Sequence, residues 1–266
     1  MNKKSVIMFS IFGAVIVLIC LPLIYIENRR AYYNKWGELA VLAETDERAK
    51  FIIENEELYP QDILNIYFSE SDYLDFVYEY PFHKDDYANM SYTEKELNSD
   101  TVPALYMIDS RWAYEDNCRV RVYGCAAVSI SMASLYLTHD TCVDPVKIMR
   151  YADDMGYIGI FGGITDEYTA DLCKAFGLNV KITRYSENRE KTTHANFDDI
   201  KSILDNGHVI MAGMAGDTFG VHAIIIKGYS GDKLYINDPA SPEKTEKMWR
   251  FDDIEPELMY IYDLYI

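Results

Sequence analysis

The sequence has 266 residues, with 43 acidic against 25 basic side chains and a formal net charge of −18. This length accommodates one large domain or two small ones. The negative charge argues against nucleic acid or an anionic membrane surface as the main partner, because both would repel the chain.

An uncharged and almost wholly apolar run extends from Ser5 to Ile26, and its 22 residues are enough to span a bilayer as a helix. Lys3 and Lys4 favour a cytoplasmic N-terminus. The bulky residues near the end of the run offer no site for signal peptidase. We therefore predict an uncleaved signal anchor over residues 1–30, a single transmembrane helix in the cell membrane, with the rest of the chain extracytoplasmic. Secretion after signal cleavage is the alternative.

Residues 31–100 are polar, acidic and helix-prone. Apolar residues recur at helical spacing in several short stretches of this region. Pro60 suits the first turn of one helix, and Pro81 is expected to end another. The polar stretch over residues 84–99 is typical of a linker. The sequence thus predicts a small, acidic helical lead-in and a linker, without a catalytic role.

The compact domain is predicted to span residues 101–266. A short strand is expected at Cys118–Tyr123. Cys125 then opens an apolar run through Leu137, which predicts a buried helix of about three to four turns. Between this helix and the last third of the domain, helices are expected to begin at Pro145, Thr165 and Phe197, with a strand at Val180–Thr183.

The final part of the chain has the pattern of strands rather than helices. Strands are predicted over residues 208–212, 221–229, 233–237, 248–251 and 259–265. Helices first and an antiparallel sheet second predict an α+β fold.

Cys125 is a candidate nucleophile because it would lie at the start of a buried helix. Free backbone N–H groups and the positive end of the helix dipole favour thiolate over thiol there. The ordinary alternative is a small buried side chain. No CxxC spacing indicates a zinc site, and Cys118 with Cys142 is one possible disulfide. The remaining histidines are isolated, so no metal or cofactor is expected.

Two further candidates stand at strand ends. His222 begins the most apolar predicted strand, and Asp238 follows the next strand after a tight turn. Adjacent antiparallel strands would bring them together, and a helix packed on the sheet would bring Cys125 to the other side of the imidazole. Cys125 would attack as a thiolate, His222 would take up and return the proton, and Asp238 would orient the ring. Asn237 is a weaker candidate for the orienting role.

The order cysteine, histidine, aspartate on these elements is that of papain-like thiol hydrolases. Residues 57–266 resemble the family-39-like cysteine peptidases, which are papain-like domains related to those that trim double-glycine leaders in bacteriocin exporters. The resemblance implies a helix bearing Cys125 packed on a sheet bearing His222 and Asp238, and it implies these three residues as the catalytic triad. It rests on Asp109-Ser110-Arg111-Trp112, Tyr123-Gly124-Cys125, Asn237-Asp238-Pro239 and residues 75–81, 135–138, 216–222 and 228–229.

Two positions depart from the family pattern. The family usually has a glutamine, an oxyanion-hole donor, two residues before the aspartate of Asp-x-Arg-Trp, and this oxyanion slot holds Met107, which cannot donate. The cysteine is followed by two alanines and a valine at 126–128, where the family has glycine or alanine, then proline and threonine or serine. Loss of one oxyanion donor typically lowers the rate by about 10²–10³. The backbone N–H of Cys125 remains, and Asn117 or Tyr106 are possible substitutes.

The sequence therefore predicts a membrane-anchored, extracytoplasmic cysteine peptidase that acts on a peptide or protein substrate through Cys125, His222 and Asp238. Met107 motivates a first alternative, a catalytically weak or inactive module that binds peptides or senses them. Acyl transfer, such as cross-linking by the same triad, is the second alternative. No cofactor and no nucleic-acid partner are expected, and the substrate sequence and oligomeric state stay open.

Overall fold

The structure is a computed structural model of the chain and describes residues 34–69, 73–116, 118–160, 162–187 and 190–266. The signal anchor predicted over residues 1–30 lies outside these ranges. No helix in the described ranges combines the length and the apolar character needed to cross a membrane. The chain divides into two compact units, one that ends at Pro81 and one that runs from Phe82 to Ile266.

The first unit is helical in the part that the structure describes. It contains α1 (34–42), α2 (Glu47–Glu54), α3 (Gln61–Ser69) and most of α4 (Leu74–His83). Leu39, Ile52 and Val77 are fully buried and form part of its small core. Pro81 lies inside α4, so the prediction that it ends this helix is wrong. The helix ends two residues later, so the missing N–H of proline removes a bond only in the last turn.

Residues 84–99, expected to be a linker, pack with the second unit instead. A 3₁₀ turn covers Asp86–Asn89, and α5 (Glu94–Leu97) follows with a capping box formed by Thr93 and Glu96. Tyr92 is buried, and its hydroxyl donates to the carbonyl of Val143 at 2.5 Å. Tyr92, together with the ion pair between Glu96 and Arg111, thus fixes a stretch whose composition is that of a loop.

The remaining helices all lie in the second unit, and the central one is α8. They are α6 (Ser110–Ala113), α7 (Arg119–Tyr123), α8 (Cys125–Thr138), α9 (Pro145–Asp154), α10 (Asp166–Ala175), α11 (Phe197–Asp205), α12 (Pro242–Glu246) and α13 (Phe251–Ile254). The strand predicted at Cys118–Tyr123 is wrong, because these residues form α7. Val120 and Val122 alternate as in a strand, but the core takes up Val120 alone and leaves Val122 exposed.

The strands occur where the sequence predicts them, with one additional hairpin. They are β1 (Asn179–Arg184), β2 (Ser186–Glu187), β3 (Glu190–Lys191), β4 (Val209–Met214), β5 (His222–Ser230), β6 (Lys233–Asn237), β7 (Met248–Arg250) and β8 (Leu258–Tyr265). Within the described residues, six of them form an antiparallel sheet in the order β1-β8-β4-β5-β6-β7, and β2 pairs with β3. The predicted mixture of helices and antiparallel sheet is confirmed.

The central strands β4 and β5 are covered on both faces. Met211 and Ile225 face the core that contains α8, whereas Ile210 and Ile224 face the core that contains α11. Strands buried on both faces carry continuous apolar runs rather than alternation. This burial explains why the sequence from residue 223 to residue 226 is entirely apolar.

Helix α8 is buried around almost its whole circumference, as expected for a helix that is apolar on all sides. Ser129 donates its hydroxyl to the carbonyl of Ala223 at 3.4 Å and thereby ties the first turns of α8 to the start of β5. This attachment brings the first residue of the helix, Cys125, beside the first residue of the strand, His222.

Candidate active site

Cys125 is the first residue of α8, directly after Gly124. A Cβ atom at Gly124 would lie 2.4 Å from the carbonyl oxygen of Val120 in the last turn of α7, so the junction between α7 and α8 requires glycine here. The backbone N–H groups of Ala223 and Ala126 favour the thiolate and help to lower the pKa of Cys125. The thiol is therefore presented to the site by a tight backbone junction and stabilised by main-chain donors from both the sheet and the helix.

His222 lies between Cys125 and Asp238. Its Nε2 donates to Oδ1 of Asp238 at 2.7 Å, and the ring also forms a hydrogen bond with Cys125. Burial lowers the pKa of His222, but the bonds and charges of Asp238 and Cys125 outweigh burial and raise it to about 9. The ring is therefore positively charged at neutral pH, which suits a thiolate partner.

Burial also acts on Cys125, where it raises the pKa of the thiol. The hydrogen bond and the charge of His222 lower this pKa more strongly, so it falls below the ordinary thiol value. Cys173 provides the contrast, because it is buried without a cationic neighbour at hydrogen-bond distance, and burial raises its pKa to about 12. The lowered pKa of Cys125 thus depends on the histidine rather than on its place in the fold alone.

Asp238 follows β6 directly and is almost fully buried. Its Oδ1 accepts from His222 and also from the backbone N–H of Ala240 at 2.8 Å. Its own N–H donates to Oγ1 of Thr245 at 2.9 Å. These bonds fix the carboxylate, so that the ring of His222 has a defined orientation.

The structure brings together the three residues that the sequence nominates as a triad, and it leaves out Asn237. The amide of Asn237 donates to the carbonyls of Val102 and Pro103 at 2.9 and 3.1 Å. Its oxygen accepts from Nζ of Lys227 at 2.6 Å. Asn237 therefore anchors the start of the predicted compact domain and does not orient the imidazole.

Met107 lies near the residues that follow Asp238. It is buried, and its backbone N–H donates to the carbonyl of Pro239 at 2.8 Å. Its thioether has no proton to donate to an oxyanion. Tyr106 and Asn117 are the two possible substitutes for this donor. The carbonyl of Tyr106 accepts from Nε1 of Trp112 at 2.8 Å. Asn117 lies outside the described residues.

The segment before His222 is held by a residue that sequence reasoning missed. The carboxylate of Glu257 accepts from the backbone N–H groups of Thr218 and Phe219 at 2.9 and 3.0 Å. A Cβ atom at Gly216 would lie 2.3 Å from the Glu257 side chain. The partners are 38 and 39 residues apart, so local sequence carries no signal for the contact.

The other cysteines in the described residues are Cys118, Cys142 and Cys173. Cys142 is an exposed free thiol, so the disulfide considered between Cys118 and Cys142 is not formed. Among the residues that the structure describes, no group of histidine, cysteine and carboxylate side chains is suited to hold a metal ion.

A cysteine at the start of a helix, linked to a buried histidine–aspartate pair, is the arrangement of a thiol hydrolase. The chain belongs to the Peptidase_C39 like family, whose model matches residues 100–263, more than half of the sequence. The predicted resemblance is thus confirmed, and the chain is a member of a cysteine peptidase family. None of the curated proteins compared with it matches significantly.

Similar solved structures include the peptidase domain of Streptococcus ComA, a bifunctional ABC transporter involved in quorum sensing, at 12% identity and a TM-score of 0.42, covering 62% of this chain and 98% of that one. A C39-like peptidase from Bacillus anthracis has 14% identity and a TM-score of 0.35, over 62% of this chain and 96% of that one. A double-glycine-motif protease from an AMS/PCAT transporter, in complex with the leader peptide, has 17% identity and a TM-score of 0.31. The match covers 53% of this chain and 82% of that one.

Proposed function

We propose that this chain is a membrane-anchored cysteine peptidase that hydrolyses peptide bonds outside the cytoplasm, with Cys125, His222 and Asp238 as its catalytic triad. One observation carries the proposal: the imidazole of His222 connects the buried carboxylate of Asp238 to the thiol at the start of α8. The match to a peptidase family supports the same activity.

In the proposed reaction, the Cys125 thiolate attacks the carbonyl carbon of the scissile bond and forms a tetrahedral intermediate. The backbone N–H of Cys125, one of the unpaired donors at the start of α8, would donate to the oxyanion. His222 as imidazolium protonates the leaving amine, and a thioester remains on Cys125. His222 then takes a proton from the attacking water, and hydrolysis releases a carboxylic acid and restores the thiolate.

Asp238 acts through the imidazole in this proposal. Because its Oδ1 accepts from Nε2 of His222, the other ring nitrogen is left for the thiol. The buried carboxylate also stabilises the positive charge that the ring carries while it is the acid. This division of roles predicts that Asp238 influences rate more than substrate affinity.

Reactivity of the thiol provides the direct test. Full-length protein is treated with an electrophilic thiol probe across pH, and labelling is read by peptide mapping. At pH 6 we expect Cys125 to react at least about tenfold faster than the exposed Cys142, because an ordinary thiol is protonated there. Cys142 is the internal control, and a His222→Ala variant should remove the difference. Equal labelling of Cys125 and Cys142 in the wild-type protein would contradict the proposal.

The membrane anchor rests on the apolar run from Ser5 to Ile26 and on the lysines before it. We expect full-length protein in the membrane fraction after alkaline extraction, and protease added to intact cells should digest the part that follows residue 30. Recovery of uncleaved full-length protein in the soluble cytoplasmic fraction would contradict the anchor and leave the chemistry untouched.

Met107 favours one alternative, a module that binds peptides but hydrolyses them poorly. Its buried thioether occupies the position where the family has an oxyanion donor, and a donor is worth about 10²–10³ in rate. Met107→Gln distinguishes the two: activation by about tenfold or more indicates an impaired peptidase. No turnover by either form, with peptide binding retained, would favour the binding module.

A further inference from the structure

One oxygen of the Asp238 carboxylate has no hydrogen bond. Oδ1 accepts from His222 and from Ala240, whereas Oδ2 is buried and has no hydrogen-bond partner among the described residues. The side chain of Asp238 is only 1% exposed. A buried carboxylate with an unsatisfied oxygen is costly unless a positive charge lies close to it.

Lys244 supplies such a charge. It lies on α12, and its Nζ is 3.9 Å from Oδ2 of Asp238, which is too far for a hydrogen bond but close enough for strong electrostatic attraction. The same Nζ donates to the carbonyl of Thr218 at 2.6 Å and lies 4.9 Å from the ring centre of Phe219. With 32% of its side chain exposed, Lys244 is screened only in part by solvent.

Lys244 thus contacts the segment that leads to His222 and also lies close to Asp238, which orients the imidazole. Thr218 and Phe219 belong to the segment that ends at His222, and the carboxylate of Glu257 accepts from the N–H groups of both residues. The peptide unit that joins Thr218 to Phe219 is thus bound through its N–H by the Glu257 carboxylate and through its carbonyl by the Lys244 ammonium group. The ammonium group of Lys244 also lies 3.9 Å from Oδ2 of the carboxylate that accepts from the same histidine.

We propose that Lys244 is a positioning residue of the triad, which balances the charge of Asp238 and fixes the segment that carries His222. This inference rests on the proposed peptidase function. The titratable groups that bear on His222 are Asp238 from the end of β6, Cys125 from α8 and, behind Asp238, Lys244 from α12; Glu257 acts on the preceding segment. Loss of the ammonium charge leaves the full negative charge of Asp238 acting on the ring, which binds its proton more tightly.

The test compares four variants of the full-length protein. Lys244→Met removes charge and donor, Lys244→Gln keeps a donor for the Thr218 carbonyl without the charge, and Lys244→Arg keeps both. Lys247→Met is the matched control, because Lys247 lies three residues away over the ring of Trp249 at 3.9 Å. The titration of His222 is followed by NMR on protein with ring-labelled histidine, with His222→Gln to assign the signal, and turnover is measured across pH.

We expect the titration midpoint of His222 to move up by about 0.5 to 1 pH unit in Lys244→Met and in Lys244→Gln. The upper limb of the turnover profile should move with it. Lys244→Arg and Lys247→Met should titrate like the wild-type protein. If the midpoint of His222 moves equally in Lys244→Met and Lys244→Gln and is restored in Lys244→Arg, the effect comes from the charge of Lys244 rather than from folding of the segment.

Two results would overturn the role of Lys244: an unchanged midpoint in Lys244→Met, or a Lys244→Gln variant that behaves like the wild-type protein. Failure of the proposed function itself has a different signature. In that case, His222 of the wild-type protein would titrate at an ordinary histidine value, and the triad would be contradicted together with its positioning residue. An elevated wild-type midpoint that is insensitive to Lys244 contradicts only the positioning residue.

Discussion

The sheet carries two histidine–aspartate pairs that have almost the same length and different surroundings. Nε2 of His222 lies 2.7 Å from Asp238, and Nδ1 of His208 lies 2.6 Å from Asp263. On its free side, His222 meets the thiol of Cys125, whereas His208 stacks on the ring of Tyr265 at 4.7 Å.

The comparison shows that a hydrogen bond between histidine and a carboxylate does not define a catalytic site. The side chains of His222 and Asp238 are 10% and 1% exposed, against 28% and 12% for His208 and Asp263. Lower exposure strengthens the electrostatic coupling within the first pair. In the proposed mechanism, this coupling acts on Cys125 at the start of α8, and the second pair has no thiol neighbour among its described contacts.

Replacement of each histidine in turn should give the largest difference in turnover between the two pairs. His222→Ala is expected to lower turnover by roughly four orders of magnitude or more, because the thiol loses its base and the leaving group loses its acid. His208→Ala should stay within a factor of about three of the wild-type rate, since it touches no reacting group. A comparable loss in both variants would break the distinction between the pairs. Steady-state hydrolysis of a peptide substrate measures both.

Replacement of Asp238 should also lower the rate more than replacement of Asp263, by a smaller factor than for the two histidines. Asp238→Asn is expected to reduce kcat by roughly 10²–10⁴ with little change in KM, because the amide no longer fixes the ring or stabilises its charge. Asp263→Asn provides the matched control on the same sheet and should retain the wild-type kcat. Wild-type kcat in Asp238→Asn would show that His222 is held by other contacts.

The dependence of turnover on pH should test the role of His222 as the acid. The pKa of His222 is raised from 6.5 to about 9, so the imidazolium persists through neutral pH and is lost as pH rises through about 9. Turnover that needs this acid should therefore decline above that pH, by about tenfold per unit. His208→Ala should leave the upper limb of the profile in place. An upper limb near 6.5 would contradict an imidazolium stabilised by Asp238.

The smallest expected effect concerns stability. His208→Ala should lower the free energy of unfolding by about 1–2 kcal/mol, because the partly buried carboxylate of Asp263 loses its hydrogen-bond partner. Chemical denaturation of the full-length chain measures this change. An unchanged midpoint would show that solvent satisfies Asp263 when the imidazole is removed.

The parts of the fold that local signals control were predictable. The apolar run after Cys125 forms α8, Asp144 caps α9 through the backbone N–H of Lys147 at 3.0 Å, and the apolar segment after His222 forms β5. Strand adjacency was sufficient to expect contact between His222 and Asp238, because a short turn joins β5 and β6.

The parts that depend on distant partners were not predictable. The alternating valines of α7 have the period of a strand, and only the core that buries Val120 selects a helix. Tyr92 gives a polar stretch a fixed place through Val143, 51 residues away. Lys244 and Glu257 reach the segment before His222 across 26 and 39 residues, and such charged side chains on a surface have no local pattern.

The anchoring of Asn237 has a consequence for the synthesis of the chain. Its amide closes a loop of 135 residues to Val102, and the contact between α8 and β5 closes one of 94 residues. Contacts of such separation form late, because the entropy of loop closure must be overcome first. A nascent chain that has not reached residue 222 contains the thiol but lacks the histidine that ionises it. In the proposed mechanism, the thiol is therefore activated only after the segment that contains His222 has been synthesised and has packed against α8.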